Sequence, residues 1–241
     1  MEMFPDWGTL RERALEGVVD AELRSIQIHR LQELETLGIT TLHALTRALE
    51  SRDLPTSALA DCCWLAGLAS HNAVVGHIIA LLSESEEQAL IWEAAKALSV
   101  MKLAKSQVLH LIRTLELHPG PENRSACAYV LGFDGSQEAV LALVRCLSNS
   151  AEKPNVRGQA AEALGETNSA VAVEPLIESL SSPVVEVRFW AAFALGKLKN
   201  PAGRDALMRA LADQAVLEGW GSVADEARSA LAELDCNEKI D

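Results

Sequence analysis

Along most of this chain apolar residues fall three and four apart, the spacing that gathers them on one face of a helix. Leu176, Ile177 and Leu180 recur this way, as do Leu207, Met208 and Leu211. The stretches between such groups are short and carry glycine, proline or asparagine, so the pattern predicts short helices joined by tight turns. A second regularity lies above the first. Ala163-Leu164-Gly165 returns 31 residues later as Ala194-Leu195-Gly196. Weaker copies stand at Leu65-Ala66-Gly67, Ala97-Leu98-Ser99, Val130-Leu131-Gly132 and Ala230-Leu231-Ala232, at intervals of 31 to 36 residues. Arg124, Arg157 and Arg188 each precede the central leucine of their triplet by seven residues. Each interval holds one helix that ends in the triplet and a second that follows it. Neither helix hides its apolar stripe alone, so the units have to stack on one another.

Residues 1–53 keep the helical spacing but lack the triplet. Ile26, Leu31, Leu34 and Leu37, then Leu42, Leu45 and Leu49, predict two helices around a break at Gly38, with a capping helix over 9–19. The expected organisation is therefore capping helices and a degenerate repeat over 1–53, repeats over 54–235, and a tail at 236–241. About fourteen helices and no β-sheet follow from that period.

Over 54–235 the chain resembles HEAT repeats, above all the short HEAT-like subtype associated with phycobilin lyases. The motif Val-Arg-x-x-Ala-Ala-x-Ala-Leu-Gly carries the resemblance, intact at 156–165 and 187–196 and degraded in the other units. It implies an all-α fold, a right-handed α-solenoid of antiparallel helix pairs. It also implies that the motif arginine tethers neighbouring repeats, and that the motif helices line the concave face. In that family the outward positions are the two after the arginine, the one between Ala-Ala and Ala, and the one after the glycine. Here those positions include Asp61 and Trp64, Trp92 and Glu93, Tyr129 and Phe133, Glu162 and Glu166, then Phe189, Trp190 and Phe193. Seven of the eight aromatic residues between 54 and 235 occupy them, and only Trp220 does not. Large aromatics of this kind either fill gaps between successive helices, as core residues do, or stand partly exposed as anchors for a ligand.

Charge narrows the choice of ligand. Lys and Arg number 21 against 34 Asp and Glu, a net charge of -13. A general nucleic-acid binder needs cations to displace phosphate counterions, so a protein partner with basic surface is expected instead. No secretory signal pattern opens the sequence, and the five cysteines, with Cys62 and Cys63 adjacent, lack metal-type spacing. They read as reduced small core residues of a cytoplasmic protein. Residues 62–83 carry no Asp, Glu, Lys or Arg, a length that could span a bilayer. Ser70-His71-Asn72 near its middle predicts a turn between two buried helices instead, and no membrane role. The six histidines, at 29, 43, 71, 77, 110 and 118, converge on no metal, and no His-Glu pair of the di-iron hydroxylase kind is present. Phosphate loops and nucleophile elbows are missing as well, so no catalytic residue and no cofactor is assigned. These observations favour a non-enzymatic protein-binding module, acting as an adaptor or an immunity-type inhibitor. The alternative is a phycobilin-lyase-like subunit or chaperone handling a tetrapyrrole and its carrier protein. DNA-lesion recognition suits the aromatics but conflicts with the acidic balance.

Overall fold

A computed structural model describes residues 38–237 of the chain. The expected helices over 9–19 and around Leu31 to Leu37 lie outside the described residues. The chain forms two compact units that meet between Gln107 and Val108. The first contains α1 (Gly38–Ser51), α2 (Thr56–Leu68), α3 (Val75–Glu84) and α4 (Gln88–Ser99). Helix α5 (Lys105–Leu117) carries the boundary. The second contains α6 (Pro121–Asp134), α7 (Gln137–Ser148), α8 (Pro154–Glu166), α9 (Val173–Ser179), α10 (Val185–Leu198) and α11 (Arg204–Ala210). A hairpin of β1 (Val216–Leu217) and β2 (Gly221–Ser222) then leads into α12 (Val223–Asn237). Among the described residues this makes twelve α-helices, and the fold is all-α.

The triplet helices form the inner layer of each unit: α2 against α4 in the first, and α6, α8, α10 and α12 in succession in the second. Their spacing is set at one point per repeat. A Cβ placed on Gly67 would lie 2.9 Å from the Cα of Ala97, and one on Gly165 would lie 2.9 Å from the Cα of Ala194. Gly132 meets Ala163 and Gly196 meets Ala230 in the same way. The glycine of one triplet thus touches the alanine that begins the next, backbone against backbone. Beside this seam the Ala-Ala pairs and their cysteine equivalents are fully buried, as are Leu131, Leu164 and Leu195. The outer helices close the layer with Ile78 and Leu82, Leu143 and Leu147, Leu176, and Leu207.

Four of the triplet helices, α2, α6, α8 and α10, stop in the same manner. The third residue after the glycine takes a left-handed conformation, at Ser70, Gly135, Asn168 and Lys199. Single 3-10 turns follow at Asn72–Val74, Ala170–Ala172 and Pro201–Gly203 before the outer helix begins. After Gly135 the serine Ser136 caps α7 directly, its Oγ accepting from Ala139 N at 3.4 Å. The uncharged stretch 62–83 breaks in this way, with α2 ending at Leu68 and α3 beginning at Val75. No helix among the described residues is long and apolar enough to cross a membrane.

The motif arginines tether neighbouring elements. Arg124 donates to both carboxylate oxygens of Glu152, at 2.8 and 2.6 Å, and to the His118 carbonyl at 2.6 Å. Arg188 repeats the arrangement with Asp213 and the Ser182 carbonyl. Arg157 donates to the Leu147 carbonyl at 2.9 Å, at the end of α7. These bonds place cations on carbonyls at or just beyond helix ends, where the helix dipole favours positive charge.

The hairpin departs from the expectation of no β-sheet. The interval between the last two triplets is 36 residues instead of 31 to 33, and the extra length is spent on this excursion. Asp213 anchors its base: its side chain accepts from Ala215 N and its carbonyl from Ala224 N. Gly219 and Gly221 take φ of +81° and +127°, which side-chain-bearing residues rarely adopt.

The seam is tested by a pair of substitutions read by urea denaturation. Gly165→Ala forces a methyl into the Ala194 backbone and should lose about 1–3 kcal/mol, as overpacking does. Gly76→Ala meets nothing within 4 Å and should be neutral or gain about 0.5 kcal/mol from the stiffer unfolded chain. Leu195→Ala should lose about 2–5 kcal/mol. A Leu195→Ala loss under about 0.5 kcal/mol would mean that the inner face is assigned backwards.

Candidate functional site

The outward register positions do not behave alike. The first position after the arginine turns toward the neighbouring inner helix. Ala60, Ser125, Gly158 and Phe189 are buried there, and Trp92 is half-buried. Phe189 is 3% exposed, so the expectation that it stands partly open is corrected. Helical geometry is the reason, since a residue three before the Ala-Ala pair's second member shares much of its core-facing stripe. The next position faces outward more freely in four repeats, where Asp61, Glu93, Gln159 and Trp190 are half-buried, while Ala126 is buried.

In the first unit, Asp61 and Trp64 lie on α2 and Trp92 and Glu93 on α4, all half-buried. Lys96 Nζ lies 3.2 Å from a Glu93 carboxylate oxygen. Behind these residues burial pushes the Cys63 thiol up to about 12, with the Glu93 charge adding to the rise. Cys62 is raised in the same direction by burial, by Cys63 and by Asp61. Such thiols stay protonated and fill core space instead of attacking substrates.

In the second unit, Tyr129 and Phe133 on α6 make an edge-to-face pair with ring centres 5.0 Å apart. Phe133 is 38% exposed. A larger cluster is built on α10. Trp190 meets Phe189 at 5.3 Å and Phe193 at 5.6 Å, both edge-to-face. Trp220, from the hairpin, lies 4.9 Å from Trp190 and 6.5 Å from Phe189. Trp220 is 66% exposed although its ring is held against the cluster. It is the aromatic that the repeat register left out, because it sits on an insertion and has no register position. The longer interval and the Gly-Trp-Gly run at 219–221 were its only traces in the sequence.

Carboxylates border this cluster. Glu162 and Glu166 lie one turn apart on α8. Gln159 Nε2 donates to Glu162 at 2.7 Å. Lys197 Nζ reaches Glu166 at 3.4 Å and stands 5.6 Å over the Phe193 ring. Burial raises the pKa of Glu162 above its ordinary value and the Glu166 charge adds to it, while Gln159 and Lys197 oppose the shift. Burial likewise raises Glu186, on α10, and Glu226, on α12. At α8 the absence of a side chain on Gly158 makes room for α10: a Cβ there would meet Trp190 Cδ1 at 2.9 Å and Glu186 Cγ at 3.0 Å. The structure thus gathers Glu162, Glu166, Phe189, Trp190 and Phe193 around Trp220 and Lys197. No group of three or more His, Cys, Asp or Glu among the described residues could hold a metal ion.

A family model of HEAT repeats matches residues 108–191 and 149–233. Among curated proteins none matches significantly. Solved structures of similar fold include human deoxyhypusine hydroxylase, at 17% identity and TM-score 0.47, covering 96% of each chain. The complex of CpcE and CpcF of phycocyanin lyase from Nostoc sp. PCC7120 is similar at 19% identity and TM-score 0.47, with 98% of each chain covered. An engineered protein is similar at 21% identity and TM-score 0.47, covering 96% of this chain and 97% of its own.

The raised Glu162 pKa has a sign that can be checked. Both folded and unfolded chains hold its proton well below 4.5, so burial there has no electrostatic cost. As pH rises, the unfolded chain releases the proton first, and the folded state loses stability up to the raised value. Glu162→Gln should therefore raise the urea midpoint at pH 7 and leave it almost unchanged near pH 3. A lower midpoint at pH 7 would mean that the bond from Gln159 outweighs the burial.

Proposed function

Because the chain belongs to the HEAT-repeat family, we propose that it is a non-enzymatic module that grips a partner protein with its inner helices, as an adaptor or an immunity-type inhibitor. Repeat solenoids bind through surfaces built from successive units. The observation that carries this reading is the half-open aromatic cluster of Trp190, Phe193 and Trp220, bordered by carboxylates. An indole two-thirds exposed yet fixed in place is the kind of rigid, amphipathic anchor that dominates binding energy at interfaces. The acidic border and the net charge of -13 suit a partner with basic surface. Asp61, Trp64, Trp92 and Glu93 provide a second set of the same composition on the first unit. The motif arginines are engaged in tethers and the described cysteines are free thiols with raised pKa values. Those roles are structural, and unpaired thiols fit the reducing cytoplasm.

The test is affinity purification from the native cell, followed by titration of the recovered partner against wild-type protein and Trp220→Ala. The substitution should weaken binding by about 2 kcal/mol and move the melting temperature by less than about 2 °C. Glu162→Lys should slow association and reduce its salt dependence. Unchanged affinity for Trp220→Ala would sink this reading. Visible bilin absorbance on the recovered material would replace it with the tetrapyrrole-handling alternative.

A further inference from the structure

We propose that Glu186, Trp190 and Trp220 receive an arginine side chain of the partner protein, the guanidinium stacking on the indoles and pairing with the Glu186 carboxylate. The inference rests on the protein-binding reading above and names what the partner must present at this point. Glu186 and Trp190 are one turn apart on α10, and both reach over Gly158 of α8, where a Cβ would meet each of them at about 3 Å. Trp220 then lies against Trp190 with its plane tilted by 70°. The Glu186 carboxylate and the Trp190 indole therefore adjoin over Gly158, and Trp220 abuts that indole.

Charge accounting leaves that place short of a cation. The Glu186 carboxylate makes no ion pair or hydrogen bond with a described residue, and burial raises its pKa. The nearest basic side chains on its own helix are committed: Arg188 to Asp213 and the Ser182 carbonyl, Lys197 to Glu166. The other end of the same strip shows what the surface accepts, because there Lys197 already stands over Phe193 while paired with a carboxylate. The Glu186 end repeats that combination without its cation. Arginine suits it better than lysine, because a planar and weakly hydrated guanidinium stacks on indole and pairs with a carboxylate at the same time.

The probe is N-acetyl-arginine amide, titrated into the 15N-labelled full-length chain while the tryptophan indole N–H signals are followed. Its neutral isostere N-acetyl-citrulline amide is the control. The arginine probe should shift the Trp190 and Trp220 signals saturably and leave those of Trp64 and Trp92 in place. Citrulline should give less than about a tenth of that shift, and Glu186→Gln should weaken the arginine titration at least about fivefold. Trp220→Ala, a surface truncation, should abolish the Trp190 shift. Equal response to citrulline, or an unaltered titration with Glu186→Gln, would overturn the proposal. So would indoles that stay unmoved while Trp220→Ala still abolishes capture of the protein partner, a result that would leave the protein-binding reading standing.

Discussion

The contact between the triplet glycine of one inner helix and the first triplet alanine of the next is the constraint on which the rest depends. With a would-be Cβ at 2.7 to 2.9 Å from a neighbouring Cα, no other residue fits without moving a backbone. The close approach assigns every other position on the helix. The Ala-Ala pair, or Cys62-Cys63 in the first unit, must be small because it packs beside the seam. The arginine lies off the seam and reaches the ends of neighbouring helices. What is left over are the outward positions, of which those like Gly158 and Phe189 are still held by the neighbouring helix while others such as Trp190, Phe193, Glu162 and Glu166 are not fully buried.

Seven of the aromatics and several carboxylates stand at these outward positions, and Glu186 lies beside them on α10. Glu162 and Glu186 are carboxylates whose burial raises their pKa. In a region selected for stability alone they would be replaced by neutral groups or given cations. The basic side chains of α10 go elsewhere, to Asp213 and Glu166. Under the proposed protein-binding role, buried carboxylates beside the exposed Trp220 would cost some folding stability, as residues kept for binding do.

The stacked repeats were legible from triplets at a near-constant interval, the arginine tethers from the resemblance to HEAT repeats, and the break inside 62–83 from its central Ser70-His71-Asn72. The register also expected Trp190, Phe193, Glu162 and Glu166 on one face, and in the structure Lys197 stands over Phe193 while paired with Glu166. It misplaced Phe189, because the first outward position is rotated far enough to be covered by the adjacent helix at Ala60, Ser125, Gly158 and Phe189, though not at Trp92. Trp220 was beyond its reach for a different reason. The hairpin that carries it interrupts the period, and its position depends on Asp213 being held by Arg188 across 25 residues. Periodicity reports what repeats, and the exposed centre of this cluster comes from a segment that does not.

The claim that inner-helix outward positions bind while outer helices only support can be tested by hydroxyl-radical footprinting of the free protein and of its complex with the recovered partner. Trp190, Phe193 and Trp220 should become protected on binding. Leu141 on α7, Val171 before α9 and Met208 on α11, all exposed on outer elements, should be oxidised equally in both samples. Protection of Leu141, Val171 and Met208 with Trp220 unchanged would contradict the account.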